Sequence, residues 1–209
     1  MSPAVSIMKT LPSLVYESGH TGLVAGFDEA GCGPWAGALV AAAVILPKML
    51  PSFIHEINDS KKLTRLKRES LYDQLIADPT IDWSAGIVGV TELDTLLLRN
   101  ALPLAFKRAL NGLKQTPDHV LIDGIRDPKL PHPTTLIKRG DQISLSIAAA
   151  SVIAKVTRDR LMDQLHREYP MYGWNQNAGY GTKQHQQALR EFGVTCHHRK
   201  SYAPIKAFI

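Results

Sequence analysis

The chain has 209 residues, 44% hydrophobic and 21% charged, with a formal net charge of +5. That composition fits one sizeable globular domain and excludes repeat and low-complexity architectures. Two cysteines are too few for a disulfide framework and point to a reducing, cytoplasmic setting, and the longest uncharged apolar run, Trp35 to Leu46, is too short to cross a bilayer.

The N-terminal stretch MSPAVSIMKTLPSLVYESGH lacks the basic start and apolar core of a signal peptide, and residues 1–20 are expected to be a flexible extension. Residues 22–28 (GLVAGFD) and 38–46 (ALVAAAVIL) read as strands joined by a glycine-rich connection. Residues 64–77 predict a helix with Leu66, Leu71, Leu75 and Ile76 near one face, Thr64 as cap and Pro79 beyond its end. A strand follows at 83–90, then a helix opened by Thr91, with Asp94 in the capping-box position and a kink at Pro103. Residues 118–123 (DHVLID) and 134–138 (TTLIK) read as two further strands. From Asp141 a long helix runs to Pro170, apolar nearly all round in its first half and so expected to be buried. Its small residues at 148–151 would let another element come close. A glycine-rich loop and a last helix ending at Gly193 complete a helical C-terminal part, about 170–209. This order predicts an α/β fold, a mixed sheet with helices packed on it.

Four acids stand where structure alone does not favour them. Asp28 and Glu29 end an apolar strand, Asp123 ends another, and Asp141 opens the buried helix. Taken singly, Asp141 suits an N-cap and Asp123 a turn. Asp28 and Glu29 resist such an account, because adjacent strand residues point to opposite faces and one must face an interior. Ligands of α/β sheets gather beyond the carboxyl ends of the parallel strands. Acids converging there repel unless a cation neutralises them, and carboxylates suit hard ions such as Mg²⁺ or Mn²⁺. Histidine and cysteine spacings do not suggest zinc, and neither a Gly-x-Ser-x-Gly elbow nor a Walker loop is present. Carboxylates, two metals about 3.5–4 Å apart and a basic surround are machinery for phosphodiester hydrolysis. The basic clusters are KKLTRLKR (61–68) and HHRK (197–200), the latter with Lys183, Arg190 and Lys206 nearby. Each alone reads as a solvated surface, and both beside the acids would favour a phosphate backbone.

Seven blocks in order, DEAGCGPWAG, DSKKL, LIDG, KRGD, AAASVIAKVTRDR, GYGT with His185, and HHRKSYAPIK, resemble bacterial ribonuclease HII, the type 2 ribonuclease H, from about residue 22 onward. The resemblance implies a ribonuclease H-like catalytic domain over residues 21–209. It implies a metal-dependent endonuclease, using Mn²⁺ or Mg²⁺, that hydrolyses the RNA strand of RNA–DNA hybrids. It also implies incision 5′ to single ribonucleotides in duplex DNA, leaving 3′-hydroxyl and 5′-phosphate ends, in ribonucleotide removal. The family's metal-binding, catalytic acids fall on Asp28, Glu29, Asp123 and Asp141. Its loop for the ribose 2′-hydroxyl falls on Gly31, Cys32 and Gly33, and its sugar-packing tyrosine on Tyr180. Glycines let a backbone approach a sugar closely, and the 2′-hydroxyl separates RNA from DNA. Lys61 and Lys62 are candidate phosphate contacts. No membrane partner and a monomer are expected. The sister family, ribonuclease HIII, carries an N-terminal substrate-binding domain, and the position of Asp28 and Glu29 near the start leads us to expect none here.

Two departures stand out. Cys32 replaces the family's usual arginine, and Asn177-Ala178 replace a usual His-Lys. Each removes positive charge, and weaker substrate binding with preserved ribose preference is expected. These losses motivate the competing reading of a non-catalytic nucleic-acid-binding protein, which the presence of all four acids opposes. A general two-metal nuclease is opposed by the glycine loop and Tyr180. Lys183 or His185 is expected to compensate for the missing charge, His197 and His198 to be phosphate contacts or a surface pair, and Lys155 to reach the site or pair with an acid.

Overall fold

The computed structural model describes residues 11–209. Five strands form one mixed sheet in the order β3-β2-β1-β4-β5. They are β1 (Val24–Ala30), β2 (Leu39–Ile45), β3 (Asp82–Val88), β4 (His119–Asp123) and β5 (Thr134–Ile137). β1 and β2 are antiparallel, as are β2 and β3, whereas β1–β4 and β4–β5 are parallel. β2 is buried along its length because helices cover both of its faces.

On one face, Val40, Ala42 and Val44 of β2 join a core with α1 (Arg65–Ala77) and the first half of α3 (Leu145–Glu168). On the other, Leu39, Ala41, Ala43 and Ile45 pack with Phe27 and with α2 (Val90–Asn111). α3 lies tight against β1: a Cβ on Gly26 would sit 2.3 Å from the Ser146 carbonyl carbon, so only glycine fits there. The short helices α4 (Trp174–Asn177) and α6 (Ala203–Lys206), with α5 (Lys183–Phe192), enclose a third apolar cluster built around Tyr172 and Trp174. Among the described residues, no helix is long and apolar enough to cross a membrane.

Several local expectations are corrected. The long helix starts at Leu145, capped by Ser144, whose hydroxyl accepts from Ile147 N; Asp141 lies earlier, in a 3-10 turn over Gly140–Gln142. α2 breaks at Leu97 (φ 59°, ψ 158°) and runs on through Pro103, so the irregular residue precedes the proline that helices reject in their interior. At its start Glu92 accepts from Gly89 N, and Asp94 accepts instead from Lys200 N and Ser201 N, tying the C-terminal part to α2. Leu66, assigned to the apolar face of α1, is 86% exposed.

Of the expected flexible extension, residues 1–10 lie outside the described residues. Residues 11–20 run against the start of α3. Ser13 exchanges main-chain hydrogen bonds with Ile143 and Leu145, and the Glu17 carboxylate accepts from Ser144 Oγ, Ser146 Oγ and Ser146 N. An anion at a helix N-terminus satisfies N–H groups that have no partner within the helix.

Candidate active site

Parallel pairing of β1 with β4 sets Phe27 beside Ile122, so the next residues, Asp28 and Asp123, emerge side by side at the carboxyl ends of their strands. Asp123 in turn pairs in register with Ile137 of β5. The chain then turns, and Gly140 N donates to Asp123 Oδ1 at 2.6 Å, which draws the Asp141 turn toward both strands. One carboxylate oxygen from each of Asp28, Asp123 and Asp141 lies within 4.8 Å of the others. Acids separated by up to 113 positions thus converge.

Glu29 stands apart from this trio. Alternation along β1 sends Asp28 toward α3 and Glu29 toward α2. The Glu29 carboxylate faces a cavity shared with Asp123, Gly124, Leu98, Leu102 and Phe106, and accepts a weak hydrogen bond from Cys32 Sγ at 3.7 Å. Asp123, a member of the trio, therefore also borders the cavity that Glu29 faces.

The electrostatics record the crowding. Burial, then the charges of Glu29 and Asp123, push the Asp28 carboxyl well above its usual range. Burial, then Asp123, raises Glu29. Burial, then Asp59 and Asp123, lifts Asp141 to about 6. Lys61 Nζ lies 3.8 Å from Asp141 Oδ2 but is 77% exposed, so this pair offsets little of the repulsion. Burial works against the Lys61 ammonium, yet Asp28, Asp141, Asp59 and Asp123 together raise it. Hard oxygen donors converging with uncompensated negative charge fit a divalent cation.

A cleft of about 340 Å³ opens beside the acids, lined by Asp28, Glu29, Gly31, Cys32, Gly33, Lys61, Lys155, Arg158 and Tyr180. The glycine loop and Tyr180, about 150 positions apart in the chain, thus face one another. Gly31 has φ +103°, and a Cβ there would strike Arg158 Nε at 2.3 Å. Tyr180 is 49% exposed, a surface ring free to meet a ligand. Lys155 donates to Asp159 at 2.6 Å and also borders the cleft. Lys62 is exposed.

Other sequence expectations do not hold. His198 is fully buried, its Nε2 3.0 Å from that of the equally buried His185, and His197 is half-buried, so His198 is no phosphate contact, His197 and His198 are no surface pair, and His185 offers no surface charge in compensation. Arg199, counted in the basic cluster 197–200, is also fully buried. Within the cluster 61–68, Arg65 pairs with Asp163, Lys67 with Glu56 and Arg68 with Asp159, so much of its charge is spent locally. Asn177 is structural: its side chain donates to Tyr172 O and accepts from Gly179 N.

The roles of three residues were not legible in the sequence. Asp59, inside the DSKKL block, is buried, accepts from Lys61 N at 2.9 Å and from Gln142 Nε2 at 3.3 Å, and so joins the lysine turn to the Asp141 turn. Arg158 donates to the carbonyls of Ala36, Ala38 and Ala178; Arg199 donates to those of Gly37, Ala38 and Cys32. Burial, then mutual repulsion with Arg199, lowers the Arg158 guanidinium to about 10. Both cations are bound chiefly by main-chain oxygens, which leaves positive charge behind the loop. The available signal for Arg158 was its position in helical register with the apolar Ala154 and Met162, which places a charge on the buried face of α3.

A family model described as Ribonuclease HII matches residues 25–204. The ribonuclease HII of Ehrlichia chaffeensis is 45% identical over 202 residues, covering 97% of this chain and 95% of that one. That of Gluconobacter oxydans is 47% identical over 200 residues, covering 95% and 97%. The ribonuclease H2 structure from Pyrococcus horikoshii aligns with a TM-score of 0.72 at 27% identity, covering 89% of this chain and 96% of that one. Agreement in motif order, length and sheet architecture makes this chain a member of the ribonuclease HII family and an endoribonuclease of the ribonuclease H type.

Proposed function

We propose that the protein hydrolyses the RNA strand of RNA–DNA hybrids and incises duplex DNA on the 5′ side of single embedded ribonucleotides. The cut leaves 3′-hydroxyl and 5′-phosphate ends and begins ribonucleotide removal. The observation that carries this proposal is the convergence of Asp28, Asp123 and Asp141 within 4.8 Å beside a glycine-walled cleft.

In this proposal Asp28, Asp123 and Asp141 hold divalent cations, Mn²⁺ or Mg²⁺, and Glu29 serves from the α2 side of Asp123. When bound, two such ions supply water activation and charge stabilisation at the leaving oxygen. The protein does the rest by placement. Gly31, Cys32 and Gly33 bring main chain to the sugar, where a 2′-hydroxyl can be sensed. Tyr180 packs across the cleft on the neighbouring sugar. Lys61, and beyond it Lys62, face the phosphate backbone, with the buried charge of Arg158 and Arg199 adding a field that favours an anion.

The test is cleavage of matched duplexes carrying zero, one or several ribonucleotides, each with Mg²⁺ and with Mn²⁺, by the wild type and Asp123→Asn. The expected result is cutting only where ribose is present, lost in the variant. Equal cutting of the all-DNA duplex, or undiminished cutting by Asp123→Asn, would refute it.

A further inference from the structure

Both walls of the cleft are chain segments without regular structure of their own, yet each leans on one stretch of the C-terminal part, Thr195 to Tyr202. On the first wall, Tyr202 Oη donates to Cys32 O at 2.8 Å. Arg199 Nη1 donates to Tyr202 Oη at 2.9 Å and to the same carbonyl at 3.5 Å. Arg199 Nε and Nη2 hold Gly37 O and Ala38 O, at 2.9 and 3.2 Å, on the far side of the loop. A trans peptide points its C=O and the following N–H in opposite directions. Locking the Cys32 carbonyl against Tyr202 therefore directs Gly33 N–H away from Tyr202, and Gly33 lines the cleft.

On the second wall, the hydrogen bonds determine both histidine tautomers. Thr195 N lies 2.9 Å from His198 Nδ1. A main-chain N–H can only donate, so Nδ1 accepts and the neutral ring carries its proton on Nε2. That proton meets His185 Nε2 at 3.0 Å, which also accepts from Trp174 Nε1 at 3.3 Å. His185 is then protonated on Nδ1 and donates to Tyr180 O at 3.0 Å. The stretch is itself anchored: Arg199 N donates to Trp35 O, Gly37 N donates to His197 O, and Asp94 accepts from Lys200 N and Ser201 N.

We infer that Thr195–Tyr202 is a specificity-determining brace: Arg199 and Tyr202 position the glycine loop, and the His198–His185 pair positions Tyr180, so that ribose is discriminated from deoxyribose. These are positioning residues, since they act through main-chain atoms of the two walls. The inference rests on the proposal that Gly31–Gly33 and Tyr180 read the ribonucleotide. Recognition of one hydroxyl requires a donor or acceptor held within a fraction of an ångström, and supporting hydrogen bonds of this kind supply that precision.

The readout is the ratio of the Kd for an all-DNA duplex to the Kd for the same duplex with one ribonucleotide, with Ca²⁺ in place of the catalytic ion. It is measured beside kcat, KM and the thermal midpoint. Tyr202→Phe removes one hydroxyl and no ring, and is expected to lower the ratio roughly three- to tenfold with little change in the midpoint. His185→Leu is expected to lower it by a similar factor. His185→Asn, which keeps an N–H where Nδ1–H stands, should recover much of the loss. Purely structural effects reduce the active fraction and leave the ratio unchanged. Gly33→Ala and Tyr180→Ala test the underlying reading. If they collapse the ratio while Tyr202→Phe leaves it within about twofold, the brace is refuted and the reading stands. If neither changes the ratio, the reading falls and takes the inference with it. Should His185→Leu fail to fold, Tyr202→Phe decides alone.

Discussion

Replacing Asp141 by Asn should stabilise the metal-free protein at neutral pH while weakening its response to a divalent ion. The Asp141 carboxyl is lifted from 3.8 to about 6, by burial first and then by Asp59 and Asp123. At about 1.4 kcal/mol per unit, and discounted for solvent screening, its ionised form costs the native state on the order of 1–3 kcal/mol above pH 6. For a domain of this length that is a rise in thermal midpoint of about 2–12 °C in the variant. Asn keeps the shape of the side chain and can donate to Asp59, and the lost pair with the exposed Lys61 is worth little. The sign in pH follows from linkage. The native state has the higher pKa, so between about pH 4 and 6 it binds more protons than the unfolded state, and stability falls as pH rises through that window. The gap between variant and wild type should thus be full near neutrality and vanish toward about pH 4. A bound divalent ion stabilises the folded form by mass action, so its addition should raise the wild type more than the variant. The assay is thermal unfolding of both proteins in chelator and with Mn²⁺ or Mg²⁺, across that pH range. A wild type as stable as the variant in chelator at neutral pH would refute the account of a charge-strained cluster.

Burial, then Glu29, pushes the Cys32 thiol up to about 12, while Cys196 is exposed. Iodoacetamide at neutral pH should therefore alkylate Cys196 alone, with Cys32 reacting only on unfolding, as mass spectrometry of the digested protein would reveal. Cys32→Arg should tighten duplex binding by about 1.5–3 kcal/mol and steepen its salt dependence, because the guanidinium adds a charge-assisted phosphate contact. An unchanged Kd across a salt series would count against that contact. Glu17→Gln removes the charge that receives three donors at the start of α3, and should lower stability by about 1 kcal/mol in urea titrations without altering cleavage chemistry. A midpoint equal to that of the wild type would mean that residues 11–20 contribute no such tie.

What the sequence determined by itself was local. Alternation and β-branched runs placed five strands in order, a Thr cap and following Pro bounded α1, and polar residues ending apolar strands marked Asp28, Glu29 and Asp123. These signals survive because each depends on neighbours a few positions away. The tertiary structure alone decided that Asp141 arrives on a turn and not at a helix cap, that Glu29 faces α2 apart from the other three acids, and that Asp59 adjoins the cluster. It also buried the middle of an apparent basic tail, 197–200, where Arg199 and His198 spend their donors on main chain or on His185. Charge type is legible in a sequence, but burial and partners arise from pairing β1 with β4 and folding the chain end back onto the loop at 31–38, contacts between residues some 90 to 170 positions apart.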